Sequence, residues 1–182
     1  MQHYKLLSLT FFLLSTVITN NAFAKKAKTG PVIENYGPAY KVKTKDIALP
    51  EHFKYKVVFD VYKTASEVSN HSRRIESVAR FINMHALNGV KMEDMEIAVV
   101  FHGKATKDIL NDNTYEEKYL STNPNKEMIQ DLADKGVKFY VCGQTVEYYD
   151  YTRANILPDI KVSLSAMTQL VVLQSQGYSL LP

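Results

Sequence analysis

The sequence contains a single cysteine, Cys142, and this scarcity limits what the residue can do. One thiol cannot form a disulfide within its own chain, so Cys142 is packed as a small apolar side chain, paired with another molecule, or retained for chemistry. Metal ligands are scarce as well. The sequence has no Cys-x-x-Cys or His-x-x-x-His pattern, and a zinc site requires three or four ligands. We therefore expect neither a metal nor another cofactor.

The sequence also lacks a large excess of positive or negative charge. The formal net charge is +3 at pH 7, and it falls by one if Lys5 is removed with the N-terminal segment described below. Such a small charge argues against nucleic acid or an anionic membrane surface as a partner. The sequence contains no P-loop, no dinucleotide-binding fingerprint and no Gly-x-Ser-x-Gly motif, so nucleotide binding and serine hydrolysis are not supported.

Residues 1–24 have the pattern of a cleaved signal peptide. Lys5 gives a positively charged start, residues 6–18 form an apolar run, and an Ala-Phe-Ala triplet ends at Ala24. The run is shorter than the roughly 20 residues that a membrane-spanning helix needs. We predict cleavage after Ala24, export to the periplasm and no integral membrane anchor; an uncleaved anchor is the rival interpretation.

Residues 25–52 are predicted to form an extended N-terminal arm. Gly-Pro pairs at 30–31 and 37–38, together with Pro50, interrupt this segment too often for a regular element. The arm either wraps the body of the chain or a neighbouring subunit, or it is disordered. The compact domain is expected over residues 53–182.

This domain alternates predicted strands and helices. Apolar, β-branched strand segments begin at Tyr55, Glu96, Val137 and Ile160, and an edge strand begins at Tyr178. Helical periodicity separates them, and strands joined by crossovers of this length must be parallel. We predict an α/β fold: a three-layer sandwich with a mainly parallel sheet of about five strands and helices on both faces.

Capping signals predict where two helices begin. Ser69 or Asn70 is expected to cap the first helix, and Asn123, followed by Pro124, the helix before the third strand.

Cys142 ends the third predicted strand, and the next helix begins directly after it. In open α/β sheets, ligands bind in the crevice outside the carboxyl ends of the strands. The N–H groups at a helix start also stabilise a thiolate. A thiol in this position can carry a persulfide or attack a disulfide. The alternative is a free cysteine packed as a small apolar residue.

His102 lies at the carboxyl end of the second predicted strand, which we expect to neighbour the strand of Cys142. An imidazole there can hold the thiolate as an ion pair or transfer a proton; alternatively it caps the following turn. Asp60, near the end of the first strand, either faces the same site or holds a loop. The candidate catalytic residues are therefore Cys142 and His102.

Two further groups of side chains follow the first and third strands. Each group has one functional and one structural interpretation. The basic group can attract an anionic sulfur compound or form a solvated face or subunit contact. The tyrosine group suits a buried subunit interface or a half-exposed surface. The basic group comprises His71, Arg73 and Arg74, and the tyrosine group Tyr148, Tyr149 and Tyr151.

Three segments also carry a family resemblance: Val99-Val100-Phe101-His102-Gly103, Gly136-Val137-x-Phe139-x-Val141-Cys142-Gly143, and Leu173-Gln174-x-Gln176-Gly177-Tyr178-x-Leu180. In order and spacing, the chain from Lys56 to its carboxyl terminus resembles the DsrE/DsrF-like family of small α/β proteins linked to sulfur relay. The resemblance implies that Cys142 matches the cysteine that receives and passes sulfane sulfur. It also implies a homo-oligomer, a trimer or a hexamer.

The chain departs from the relay proteins in two respects. It carries an export signal, and residues 147–151 read Glu-Tyr-Tyr-Asp-Tyr where relay members have small residues and an arginine. Two hypotheses follow, and they leave open whether the protein is an enzyme. In the first, an exported protein carries or exchanges sulfane sulfur on Cys142 with a donor or acceptor protein or a small sulfur compound. In the second, a non-catalytic oligomeric binding or scaffold protein keeps the fold without the relay.

Overall fold

Five strands form one sheet in the computed structural model, which describes residues 25–181. The predicted signal peptide and its cleavage site after Ala24 lie outside the described residues. The strands are β1 Tyr55–Val61, β2 Met95–Phe101, β3 Lys138–Cys142, β4 Ile160–Ser163 and β5 Ser179–Leu181. Every pairing is parallel, in the order β4-β3-β2-β1-β5. The predicted α/β fold with a parallel sheet of about five strands is confirmed.

The helices are α1 Arg73–Leu87, α2 Asp112–Tyr119, α3 Lys126–Asp134, α4 Gly143–Tyr148 and α5 Ala166–Ser175. Three 3₁₀ segments, Met92–Asp94, Gly103–Ile109 and Arg153–Asn155, lie in the connections. Of the helices within residues 25–181, none has both the length and the hydropathy needed to cross a bilayer.

The two faces of the sheet pack against different helices. One face joins the larger core cluster with Ile75 and Ile82 of α1 and Met128 of α3. The other face packs against α5 through a smaller cluster that includes Ala166 and Leu173. This arrangement gives the predicted three layers, with α5 as the helix of the second face.

Strand residues alternate between the two faces, as the pleat of a β-strand requires. In β3, Phe139 and Val141 belong to the larger cluster, whereas Cys142 belongs to the cluster under α5. Because the central strands are buried on both faces, their sequences are nearly continuous apolar runs. The thiol of Cys142 therefore faces α5.

Helix α5 exposes several large apolar side chains. Its inner residues Ala166 and Leu173 are buried, but Met167 and Val171 are 77% and 66% exposed, and Leu164 just before the helix is 71% exposed. We call the outer side of α5 that carries these three exposed residues the α5 surface.

The N-terminal arm packs on α1 of its own chain. The buried side chain of Asn83 accepts the N–H of Ile33 at 2.9 Å and donates to the carbonyls of Ile33, Tyr36 and Gly37. Ile33 is buried in the larger core cluster. Gly37 touches the helix so closely that a Cβ there would lie 2.2 Å from the backbone nitrogen of Arg80.

The predicted start of α1 is wrong by two or three residues, since its cap is Ser72, and α3 begins two residues later than predicted, with Asn125 at the cap position. Asn123 nevertheless accepts the N–H of Asn125 at 2.9 Å through its side-chain oxygen, as a capping residue does. Its amide also donates to the carbonyls of Asp108 and Leu110, at 2.9 and 2.6 Å. The side chain of Asn125 in turn accepts the N–H of Ser72 at 2.6 Å. Asn123 and Asn125 thus connect segments that are distant in the sequence, and a local capping signal does not predict such contacts.

We predict that Gly37→Ala detaches the arm from α1. The new methyl group collides with the α1 backbone, and overpacking of this kind costs about 1–3 kcal/mol. Limited proteolysis should show faster cleavage within residues 28–40, and urea denaturation a lower free energy of unfolding. Gly30→Ala is the matched control, because Gly30 also has a positive φ but no atom lies within 4 Å of its added Cβ. Equal effects of the two substitutions would contradict the close packing described for Gly37.

Candidate functional site

The register of the central strands brings His102 and Cys142 together at the carboxyl edge of the sheet. The last paired residues of β2 and β3 are Phe101 and Val141, so the next residues, His102 and Cys142, follow side by side. Neighbouring strands lie about 4.8 Å apart, and both side chains point to the face that carries α5. On its other side Cys142 pairs with Ser163 of β4.

The Cys142 thiol is buried but surrounded by hydrogen-bond donors. The residue is 7% exposed. Burial, the largest single influence, raises the pKa of Cys142. Hydrogen bonding from the Thr145 hydroxyl and from the backbone N–H groups of Ala166, Thr145 and Gln144 favours the thiolate and brings the pKa of Cys142 below its usual range. The sulfur therefore lies at the starts of two helices, α4 and α5, whose N–H groups favour the thiolate.

Two local features allow this arrangement. The N–H of Gly103 donates to the Thr145 hydroxyl at 3.4 Å, which connects the turn after β2 to the helix that follows Cys142. Gly143 has no side chain, and a Cβ there would lie 2.5 Å from the carbonyl oxygen of Ser163. A glycine directly after the cysteine is therefore needed for the end of β4 to approach this closely.

His102 is held by Asp60 and Tyr62. Its Nε2 lies 2.8 Å from Oδ1 of Asp60, and its ring stacks on that of Tyr62 with the centroids 5.8 Å apart. The His102 side chain is 32% exposed, so it is far more open than the thiol. Asp60 thus faces the site and orients the imidazole, and its hydrogen bond to His102 joins the ends of β1 and β2.

Sequence reasoning missed Thr145. The residue stands three positions after Cys142, where a side chain at a helix start commonly bonds back to the capping residue. That spacing is the signal that could have identified it. The contribution of Ala166 has no such local signal, because Ala166 starts a helix that lies beyond the next strand.

The basic residues after β1 line a separate cavity. Arg73 and Arg74, at the start of α1, surround a space of about 650 Å³ together with Lys63, His71 and Glu76. Within residues 25–181, no three side chains of His, Cys, Asp or Glu are grouped as ligands of a metal ion.

Comparisons with known proteins place the chain in a family and match its fold. The sequence model of the DsrE/DsrF-like family matches residues 56–182. Among solved structures, the protein of unknown function MTH1491 from Methanobacterium thermoautotrophicum superposes with a TM-score of 0.54 at 19% sequence identity. The match covers 70% of this chain and 98% of that chain. At this identity the likeness is one of fold. The comparison with curated proteins found no match.

We predict that Thr145→Val raises the pKa of Cys142. Loss of one hydrogen bond worth about 1 kcal/mol moves a pKa by somewhat less than one unit. In a pH profile of iodoacetamide alkylation, the midpoint of the unaltered protein should lie below the roughly 8.5 of an ordinary thiol. Thr145→Val should shift it upward and slow the reaction at pH 7. The control is Thr106→Val, because the buried Thr106 hydroxyl has no hydrogen-bond partner. An unchanged profile in Thr145→Val would refute the role of this hydroxyl.

Proposed function

Because the chain belongs to the DsrE/DsrF-like family, which is linked to sulfur metabolism, we propose that it carries sulfane sulfur on Cys142. The observation that supports this most directly is the set of donors around the sulfur. A thiolate is the nucleophile in sulfur exchange, and these donors stabilise it. The family resemblance assigns the relay cysteine to the same position.

The proposed reaction is an exchange that needs no outside oxidant. The Cys142 thiolate attacks the outer sulfur of a donor persulfide, R–S–SH. A new S–S bond forms on Cys142, the S–S bond of the donor breaks, and the donor leaves as the thiolate R–S⁻. Attack by an acceptor thiolate on the outer sulfur of the Cys142 persulfide reverses these steps. The N–H groups of Gln144 and Ala166 stabilise the anionic forms, and His102, oriented by Asp60, supplies or receives the proton.

Access to the sulfur decides which partners can react. Cys142 itself is 7% exposed, but Tyr62, beyond His102 at the end of β1, is 43% exposed. A donor or acceptor reaches the thiol from this more open side, and a small sulfur compound does so most easily. The burial of Cys142 also supports a second candidate function, a non-catalytic oligomeric binding or scaffold protein in which the cysteine is only a member of the small apolar cluster under α5.

We further propose that the protein is a homo-oligomer assembled through the α5 surface. Met167 and Val171 leave apolar area in water, and covering such area stabilises an association. The family resemblance implies a trimer or a hexamer. Since the N–H of Ala166 at the start of α5 bonds the sulfur, such an interface would adjoin the thiol site.

The location proposed for this activity is the periplasm. The proposal rests on the signal-peptide pattern of residues 1–24. In that compartment a lone thiol has no disulfide partner within its chain, which leaves Cys142 available to other sulfur species.

The sulfur-carrier function predicts a persulfide on Cys142. After incubation with polysulfide, intact-mass spectrometry should show a gain of one sulfur atom (~32 Da) that a reductant removes. Cys142→Ser should show no gain, and His102→Gln should acquire the sulfur more slowly, with the difference depending on pH. A folded protein that gains no sulfur and whose thiol resists alkylation would reject the carrier function and favour the scaffold.

The oligomer proposal predicts that Met167→Glu combined with Val171→Glu lowers the molar mass measured by light scattering after size-exclusion chromatography. Charges at the centre of an apolar interface are strongly unfavourable. Ile47→Glu is the matched control, because Ile47 is 84% exposed but lies in the N-terminal arm. A monomeric unaltered protein, or an unchanged mass in the double variant, would exclude assembly through the α5 surface.

A further inference from the structure

A second cleft lies at the carboxyl edge of the sheet, between the turn after β2, helix α2 and the end of α4. Its volume is about 470 Å³, within the range of about 300–1,000 Å³ that is typical of small-molecule sites. Three ammonium groups and three phenol rings line most of it, and none of its lining residues is a carboxylate. These residues, which define the Lys–Tyr cleft, are Lys104, Lys107, Lys118, Tyr119, Tyr149 and Tyr151.

Two of the three positive charges have no carboxylate partner. The ammonium of Lys107 is neutralised, since it lies 2.9 Å from Oδ1 of the buried Asp108. Within residues 25–181, no ion pair of 4 Å or less includes Lys104 or Lys118. Cations gathered in a cleft without counter-charges create a positive potential that attracts anions.

The tyrosines supply flat walls and hydrogen-bond donors. The rings of Tyr149 and Tyr151 lie 5.8 Å apart, and Lys118 Nζ lies 5.1 Å from the centroid of Tyr151. Burial, with a further contribution from Tyr119, raises the pKa of Tyr151 to about 12, and burial also raises that of Tyr119. Both phenols therefore stay protonated at neutral pH. Their hydroxyl groups can donate to an anion, and the rings supply apolar contact area beside the lysines.

The cleft adjoins the thiol site but uses different side chains. Cys142 caps the start of α4 and Tyr149 caps its end, which is about 9 Å away for a helix of six residues. Lys104 directly follows Gly103, whose N–H bonds Thr145. None of the residues that line the cleft donates to the sulfur.

We propose that the Lys–Tyr cleft binds a small organic anion in which a sulfonate or carboxylate group is attached to a flat aromatic ring. The ammonium groups of Lys104 and Lys118 would hold the charged group, and the tyrosine rings would contact the flat part. An inorganic anion would interact only with the lysines, and a neutral aromatic ring only with the tyrosines. Each should therefore bind more weakly than a ligand that has both an anionic group and a ring. This inference does not require Cys142 to be reactive.

The probe that tests this ligand class is benzenesulfonate, followed by NMR titration of ¹⁵N-labelled protein. Saturable shifts are expected for the amides of residues 104, 118 and 149–151. Benzenesulfonate should bind at least about tenfold more tightly than sulfate or benzyl alcohol, a difference of ~1.4 kcal/mol. An affinity for sulfate or for benzyl alcohol equal to that for benzenesulfonate, or shifts confined to other parts of the chain, would overturn the proposal.

Variants can show whether benzenesulfonate binds in the cleft, rather than through general electrostatic attraction or at the thiol. Lys104→Ala combined with Lys118→Ala, and separately Tyr149→Leu, should each weaken benzenesulfonate binding by about tenfold. Lys91→Ala is the control, because it also removes one positive charge per residue but at the opposite edge of the sheet, where Lys91 pairs with Glu93. It should change the affinity for benzenesulfonate by less than about twofold. Cys142→Ser should also bind normally, so failure of the sulfur-carrier function leaves this result unaffected. Equal weakening by Lys91→Ala, or no effect of the cleft variants, would reject the site.

Discussion

The parallel pairing of β2 with β3 is the constraint on which the candidate site depends. It ends with Phe101 opposite Val141, so His102 and Cys142 emerge side by side at the carboxyl edge. A slip of one residue would turn Cys142 into the core under α1 and α3 and remove it from the donors of α4 and α5, because side chains alternate between faces. The same register sets Asp60 near His102, since β1 pairs with β2 along its whole length. The geometry of the thiol is therefore a property of the sheet.

The sheet could be predicted from the sequence because strands that are buried on both faces have nearly continuous apolar sequences. In addition, strands that are joined by long crossover connections pair in parallel. The sequence also placed Cys142 and His102 at the ends of adjacent strands. It did not identify the donors on the sulfur from Thr145 and Ala166. The donor at Ala166 exists only because α5 begins beside β3 after an intervening strand, and no local pattern encodes that approach. The long-range bonds of Asn123 escaped prediction for the same reason, since its amide binds carbonyls more than ten residues away.

The two faces of the sheet differ in how completely they are covered by the rest of the chain. On one face, α1 and α3 bury a large core, and Asn83 holds the arm against α1 with hydrogen bonds to four residues of the arm. On the other face, the short α5 covers a small cluster and leaves Met167 and Val171 in water. The N-terminal arm packs over the helix on the first face. Within residues 25–181, no corresponding segment packs over α5 on the second face. That asymmetry favours a second copy at α5, on the side of the sheet that holds the thiol.

The surroundings of Cys142 bear on the choice between a reactive and a merely packed cysteine. A cysteine that merely fills space acts as a small apolar group with a weak donor, and it needs no hydrogen bonds to its sulfur. Burial alone raises a thiol pKa, yet here the N–H groups of Gln144 and Ala166 and the Thr145 side chain outweigh that effect. Donors directed at sulfur stabilise negative charge on it, which packing does not require and sulfur exchange does. Because the thiol is nearly covered, the sulfur exchange that we propose requires a small compound, or a protein that delivers its sulfur past the partly exposed side chain of His102.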